Sequence, residues 1–153
     1  MKTIQLTIGQ AKSMYGKSRE MDELLLANFT KEELKLFDFK DIKTIEDARI
    51  ATGHSINYIK ITNEESTDEW AYRMIKMVVK AINNGWVPDW SNSDQYKYYP
   101  WLSISSSGFG FSSSGYGYTF TVTGVSARLC FESREKSDHA GTQFINLYKQ
   151  FLL

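Results

Sequence analysis

The side chains best placed to do chemistry in this sequence are the rings and polar groups of one short stretch, Gly85-Trp-Val-Pro-Asp-Trp-Ser-Asn-Ser-Asp-Gln-Tyr-Lys-Tyr-Tyr-Pro-Trp101. The chemistry they suit is non-covalent recognition, because Trp and Tyr interleaved with polar groups supply most of the binding energy at protein interfaces. Trp86, Asp89, Trp90, Gln95, Tyr96, Lys97, Tyr98 and Trp101 are the candidate binding residues. The competing reading is an ordered connector whose rings complete the core. Asp89, Asn92 and Asp94 do not follow the calcium-loop pattern, which alternates ligands and then requires glycine, so no metal is assigned to them.

The catalytic inventory is thin. His54 follows a helix stop, and His139 stands beside Gln143, Asn146 and Gln150 on the polar side of a helical pattern, so both read as surface residues. Cys130 alternates with Leu129 and Phe131 on a strand-like stretch and carries no nucleophile signature. Glu132, Glu135 and Asp138 lie near a helix start, where carboxylates complement the helix dipole. Gly108-x-Gly110 lacks the Lys and helix of a phosphate loop. No cofactor is implied, and the chain reads as a non-enzyme, with carboxylate chemistry kept as an alternative because it needs no motif.

A tandem repeat follows the aromatic connector: Ser105-Ser-Ser-Gly-Phe-Gly-Phe111, then Ser112-Ser-Ser-Gly-Tyr-Gly-Tyr118. Glycine alternating with rings on both sides of Ser112 to Gly115 suggests a β-hairpin with a four-residue loop there, pairing Phe111 with Tyr116 and Phe109 with Tyr118. All four rings then share one face, under a helix, with the glycines on the other. Gly-Phe-Gly-Phe also invites comparison with the RNA-stacking signature of sheet-borne aromatics. Ser107 replaces its basic residue, Ser112 replaces its following apolar residue, and no second aromatic motif precedes it.

Composition narrows the classes further. The 153 residues carry 18 basic and 18 acidic side chains, 42% hydrophobic residues, four Trp, nine Tyr and nine Phe, which suits one folded domain with a substantial core. Charge is balanced in both halves, which removes the simplest electrostatic case for nucleic acid. One cysteine allows no internal disulfide and no thiolate cluster. The first ten residues lack the apolar run of a signal peptide and no stretch is long enough to span a membrane, so a cytoplasmic protein without a membrane role is expected.

The elements that must position these residues are marked by caps. Thr7-x-x-Gln10, Thr30-x-x-Glu33, Thr44-x-x-Asp47 and Ser66-x-x-Glu69 each open a helix, over about Ile8 to Tyr15, Lys31 to Phe37, Ile45 to Thr52 and Thr67 to Asn83, with another over Arg19 to Phe29. The Thr67 helix is apolar over more than half its circumference and should be central. From Trp101 to Glu132 the period becomes two, the mark of an antiparallel sheet. Ser133 caps a closing helix whose Ala140, Phe144, Leu147, Tyr148, Phe151 and Leu152 form one apolar stripe. The fold class is therefore α+β, with a helical first half and a small sheet, about 101–132, packed by the C-terminal helix.

The connector string, the Gly-Phe-Gly-Phe run, and Ser126-Ala-Arg-Leu-Cys-Phe-Glu-Ser133 leading into His139-Ala-Gly-Thr-Gln-Phe-Ile-Asn-Leu-Tyr-Lys-Gln-Phe151 resemble a group of small phage and prophage proteins of Bacteroides-type bacteria. Lys2-Thr-Ile-Gln-Leu-Thr-Ile8 and Ile45-Glu-Asp-Ala48 are similar too. The resemblance implies a mobile-element setting and no defined activity. The expectation is a non-catalytic binding or accessory protein with a protein partner; a nucleic-acid-binding accessory factor and a small carboxylate-dependent enzyme are the alternatives.

Overall fold

The computed structural model describes residues 6, 10, 11, 14, 15, 18–30, 33, 34, 38–120 and 127–153. Where the sequence suggests one domain, internal contacts divide the chain into two compact units, Met1–Phe37 and Asp38–Leu153.

In the first unit, α1 (Arg19–Asn28) starts at Ser18, whose hydroxyl accepts the Met21 amide at 3.2 Å. Leu25 of α1 is buried with Ala11 and Leu34, and Met14, Tyr15, Met21 and Phe29 pack against them. Gln10, Ala11 and Met14 are helical, within the expected Ile8 to Tyr15 segment. Thr30 and Glu33 exchange the reciprocal bonds of a capping box, at 2.8 and 3.1 Å. Thr7 and most of the Lys31 to Phe37 segment lie outside the described residues.

The second unit is α+β. Helix α2 (Ile45–Thr52) carries the Thr44–Asp47 capping box and stops at Gly53, whose φ of 73° is the left-handed conformation that favours glycine. Helix α3 (Thr67–Asn83) carries the Ser66–Glu69 box and ends at Asn84, with φ 47°, followed by Gly85. Met74, Ile75, Met77, Val78 and Ile82 of α3 are buried, so its broad apolar surface is the heart of the unit. Before α3, Ile56–Ile59 form a short 3-10 turn. Arg73 of α3 clamps that turn, bonding the Tyr58 and Lys60 carbonyls and pairing with Glu65.

Strands β1 (Lys97–Ser105) and β2 (Gly108–Gly117) pair antiparallel. This moves the hairpin. The turn is Ser106 and Ser107, and the expected loop Ser112 to Gly115 lies inside β2. Tyr116 faces Tyr98 rather than Phe111, and Phe109 faces Ile104 rather than Tyr118. Gly108, with φ 110°, closes the turn in a conformation other residues rarely adopt.

The register slips between Trp101, opposite Ser113, and Leu102, opposite Phe111, so Ser112 is the extra residue of a bulge. The bulge resolves a parity problem. A repeat of odd length would send the rings of its second copy to the opposite face of a regular strand, since side chains alternate. One inserted residue restores them, and Phe109, Phe111 and Tyr116 share the face of Ile104, Leu102 and Tyr98. Three of the four rings expected on one face therefore share it, through a bulge within one strand, and Tyr118 lies just beyond the paired residues.

Beyond the hairpin, Phe131 pairs with Tyr98 through two backbone bonds of 3.0 and 2.7 Å. Residues 121–126, including Val122, lie outside the described set, and Phe120 is exposed. The closing helix is two segments, α4 (Arg134–Gln143) and α5 (Ile145–Leu152), broken at Phe144 with φ −109° and ψ 26°. Ser133 caps α4 as expected. The break lets α4 lie on the sheet while α5 follows α3, where Phe151 stacks on Tyr72 at 5.2 Å. On the sheet, Gly141 of α4 sits so close to Phe111 and Pro100 that an added Cβ would collide with both side chains. Among the described residues no helix is long and apolar enough to cross a membrane.

Candidate functional site

The connector between α3 and β1 is held by its own polar side chains. The Asp89 amide donates to Gln95 Oε1 at 2.7 Å, and Asp89 Oδ1 accepts from the amide and hydroxyl of Ser91 at 2.9 and 2.6 Å. Those Ser91 bonds, with Lys97 nearby, hold the Asp89 carboxyl below its ordinary range. Lys97 is wholly buried; its ammonium donates to the Asn92 carbonyl at 2.8 Å and lies 5.4 Å from the Trp90 ring centre. Asp89, Gln95 and Lys97 therefore tie the connector down. As an interior residue, Lys97 is placed to support a binding surface rather than to touch a partner, which corrects its reading as a contact residue.

The remaining candidates fall into three places. Trp86 and Trp90 are half-buried and line a groove of about 370 Å³ with Lys76, Lys80, Pro88 and Arg128. Tyr96 and Tyr98 join Tyr116 and Tyr118 in a cluster of four rings. Tyr96 lies 4.8 Å from Tyr118 and 5.3 Å from Tyr116, Tyr98 lies 6.1 Å from Tyr116, and Tyr116 lies 5.7 Å from Tyr118. Trp101 belongs to the other face of β1, beside Tyr99 at 6.4 Å, and is 53% exposed. None of these rings is in the core, so the reading in which the connector completes the interior applies to Tyr99 alone.

The tyrosine cluster sits where α4 begins. Arg134 places its guanidinium 5.6 Å from the Tyr98 ring centre and donates to the Ser114 carbonyl at 2.6 Å. The Ser114 hydroxyl in turn bonds Ser137 at 2.7 Å and Asp138 at 2.6 Å. This fixes Asp138 as an anchor of α4 on β2. Tyr96 and Tyr116 remain 44% and 46% exposed. The hydrogen bond shared with Tyr96 is the main reason the Tyr118 hydroxyl is pushed up to about 12. The result is a pre-assembled aromatic surface whose rings lose little freedom when covered, the property that makes Tyr effective in recognition.

The other chemically notable groups have structural partners. His139, expected at the surface, bonds the Ile42 carbonyl at 2.8 Å and meets the Phe39 ring edge-on. His54 stacks on Tyr58 at 3.8 Å, and burial pushes its pKa down. Burial pushes the Cys130 thiol up to about 11. Glu46, Asp47, Glu65, Asp68 and Asp89 are all held below the ordinary carboxylate range by hydrogen bonds, first from Arg49, Thr44, Arg73, Ser66 and Ser91 respectively. A second depression, of about 320 Å³, includes Trp70, Gln143, Asn146 and Gln150, and neither depression has an Asp or Glu in its wall. Among the described residues no group of three His, Cys, Asp or Glu is placed to hold a metal ion.

Comparison with family models, with curated proteins and with solved structures finds no match for the chain. The site is therefore defined by its own geometry. Tyr116 and Tyr118 are members that the sequence reading assigned to the core, and the Gly-Tyr-Gly-Tyr alternation that placed them on one face was the available signal. Lys76, Lys80 and Arg128 carried none, since α3 and the segment after 126 meet only in three dimensions.

Proposed function

We propose that the protein is a non-catalytic binding protein, an accessory factor of a phage or other mobile element, that holds a protein partner on the tyrosine end of the hairpin. The observation that carries this reading is the cluster of Tyr96, Tyr98, Tyr116 and Tyr118, in mutual contact, partly open to solvent and backed by Arg134. Tyr and Arg are the residue types enriched at the energetic centres of interfaces. The mobile-element setting rests on the sequence resemblance.

A nucleic-acid platform would require cations around the exposed rings to meet phosphates. Among the described residues the cluster has Arg134, which is already engaged with Ser114. A benzophenone photo-crosslinker at position 116, compared with one at exposed Asn63, tests the proposal in cells of the natural host. The expected result is one discrete protein adduct at 116 that is absent at 63 and lost when Tyr96 and Tyr98 are replaced by Ala. Identical adducts at both positions, or none, would overturn it. A salt-dependent shift of single-stranded DNA or RNA that Tyr116→Ala abolishes would replace it with the nucleic-acid reading.

A further inference from the structure

The groove beneath the tryptophans lies apart from the tyrosine cluster and has a different chemistry. Its wall includes Lys76 and Lys80 from the last turns of α3, Trp86, Pro88 and Trp90 from the connector, and Arg128 beside Cys130. All three ionic side chains of that wall are cations. Asp89, the nearest acid in sequence, turns its carboxylate to Ser91. The Cys130 thiol is neutral near pH 7, because burial raises its pKa to about 11, so no thiolate offsets the positive field. Asn83 is committed to the Cys130 carbonyl and the Glu132 amide, at 2.9 and 3.2 Å, and stiffens that side. The buried Lys97 ammonium, held by the Asn92 carbonyl, lies 5.4 Å from the Trp90 ring centre and helps to set that indole before any ligand arrives.

We propose that this groove is a binding site for a small planar anion of the mononucleotide class: a flat ring against Trp86 or Trp90, with its phosphate toward exposed Lys80, and with Lys76, whose ammonium lies 4.6 Å from the Tyr72 ring centre, and Arg128 adding to the positive field. Two features decide the class. Indole faces stack on flat π systems, whereas cations on a concave surface select negative charge. The volume, about 370 Å³, falls within the range of small-molecule sites, about 300–1,000 Å³. The site is independent of the protein-docking proposal, and either can fail without the other.

Tryptophan fluorescence of the full chain, titrated with AMP, adenosine and inorganic phosphate, tests it. The expected result is saturable quenching by AMP, with adenosine and phosphate each binding about tenfold more weakly or worse, because each lacks one half of the recognition. Lys80→Glu reverses an exposed charge and should weaken AMP by about tenfold or more while leaving the circular dichroism spectrum unchanged. Trp90→Phe, which keeps a ring, should retain binding better than Trp90→Ala, read by calorimetry. No saturable AMP signal, equal affinity for AMP and adenosine, or an unchanged affinity in Lys80→Glu would each overturn the assignment.

Discussion

Helix α3 and the β1–β2 hairpin share a unit and use their apolar residues in opposite ways. Nine of the 17 residues of α3 are buried, and its caps close both ends. In the hairpin, Lys97, Tyr99, Pro100, Ser114 and Gly117 are buried, whereas Trp101, Ile104 and Tyr116 face solvent. The difference is one of covering layers. Helix α3 is met by both α2 and α5, while α4 covers only the middle of one hairpin face, from Phe111 and Pro100 to Ser114. Cohesion is concentrated in α3, and the rings that α4 leaves uncovered are free to meet other molecules.

The largest expected effect tests that division. Ile82→Ala in α3 should cost about 2–5 kcal/mol in urea unfolding, and Ile104→Ala at the hairpin tip should stay within about 0.5 kcal/mol. Comparable losses at the two positions would erase the contrast. The seam between α4 and the hairpin comes next. Gly141→Ala should destabilise by about 1–3 kcal/mol through overpacking, despite a helix-propensity gain of about 1 kcal/mol. The loss should shrink when Phe111 is also cut to Ala, and an additive double-mutant cycle would show that the two residues do not meet.

On the α3 side, the Tyr148 hydroxyl of α5 is buried and has no hydrogen-bond partner among the described residues. Removing it with Tyr148→Phe should raise stability by about 1 kcal/mol; a loss would mean that the hydroxyl has a partner after all.

The smallest effect belongs to the exposed cluster. The hydrogen bond with Tyr96 pushes the Tyr118 hydroxyl up to about 12 from its ordinary 10.0. The folded state therefore holds this proton more tightly, so its contribution to stability is complete below pH 10 and declines as pH rises from 10 toward 12. Tyrosinate absorbance at 295 nm should show a late-titrating fraction that moves earlier in Tyr96→Phe, which removes the shared hydrogen bond. An unchanged curve would separate the two rings.

Elements fixed by neighbouring residues were legible. Thr44 with Asp47, Ser66 with Glu69, Gly53 and Ser133 marked their helix ends because a cap is satisfied within a turn. Composition marked the connector as ordered and ring-rich and left open whether its rings complete the core or form a surface; in the folded chain Tyr99 is buried and the other rings are partly or largely exposed. Its interior ties were not legible. Lys97 looked like a contact residue, and only the folded connector shows its ammonium turned inward to Asn92 and Trp90. The closing stripe from Ala140 to Leu152 read as one helix because periodicity is blind to a break that leaves the stripe in phase.

The Ser-Ser-Ser-Gly repeat separates the two kinds of information most clearly. By itself the sequence marked a hairpin turn at a Ser-Ser-Ser-Gly string, read at Ser112 to Gly115, and placed glycines and rings on opposite faces of a sheet. It offered the same four residues at 105–108 and at 112–115. Local preferences are equal at equal sequences, so they could not say which copy becomes the turn. Tertiary structure decided it: the strand from Lys97 to Ser105 pairs with Gly108 to Gly117, and α4 closes over the middle of that pair, so the first copy bends and the second lies in the strand with Ser112 as its bulge.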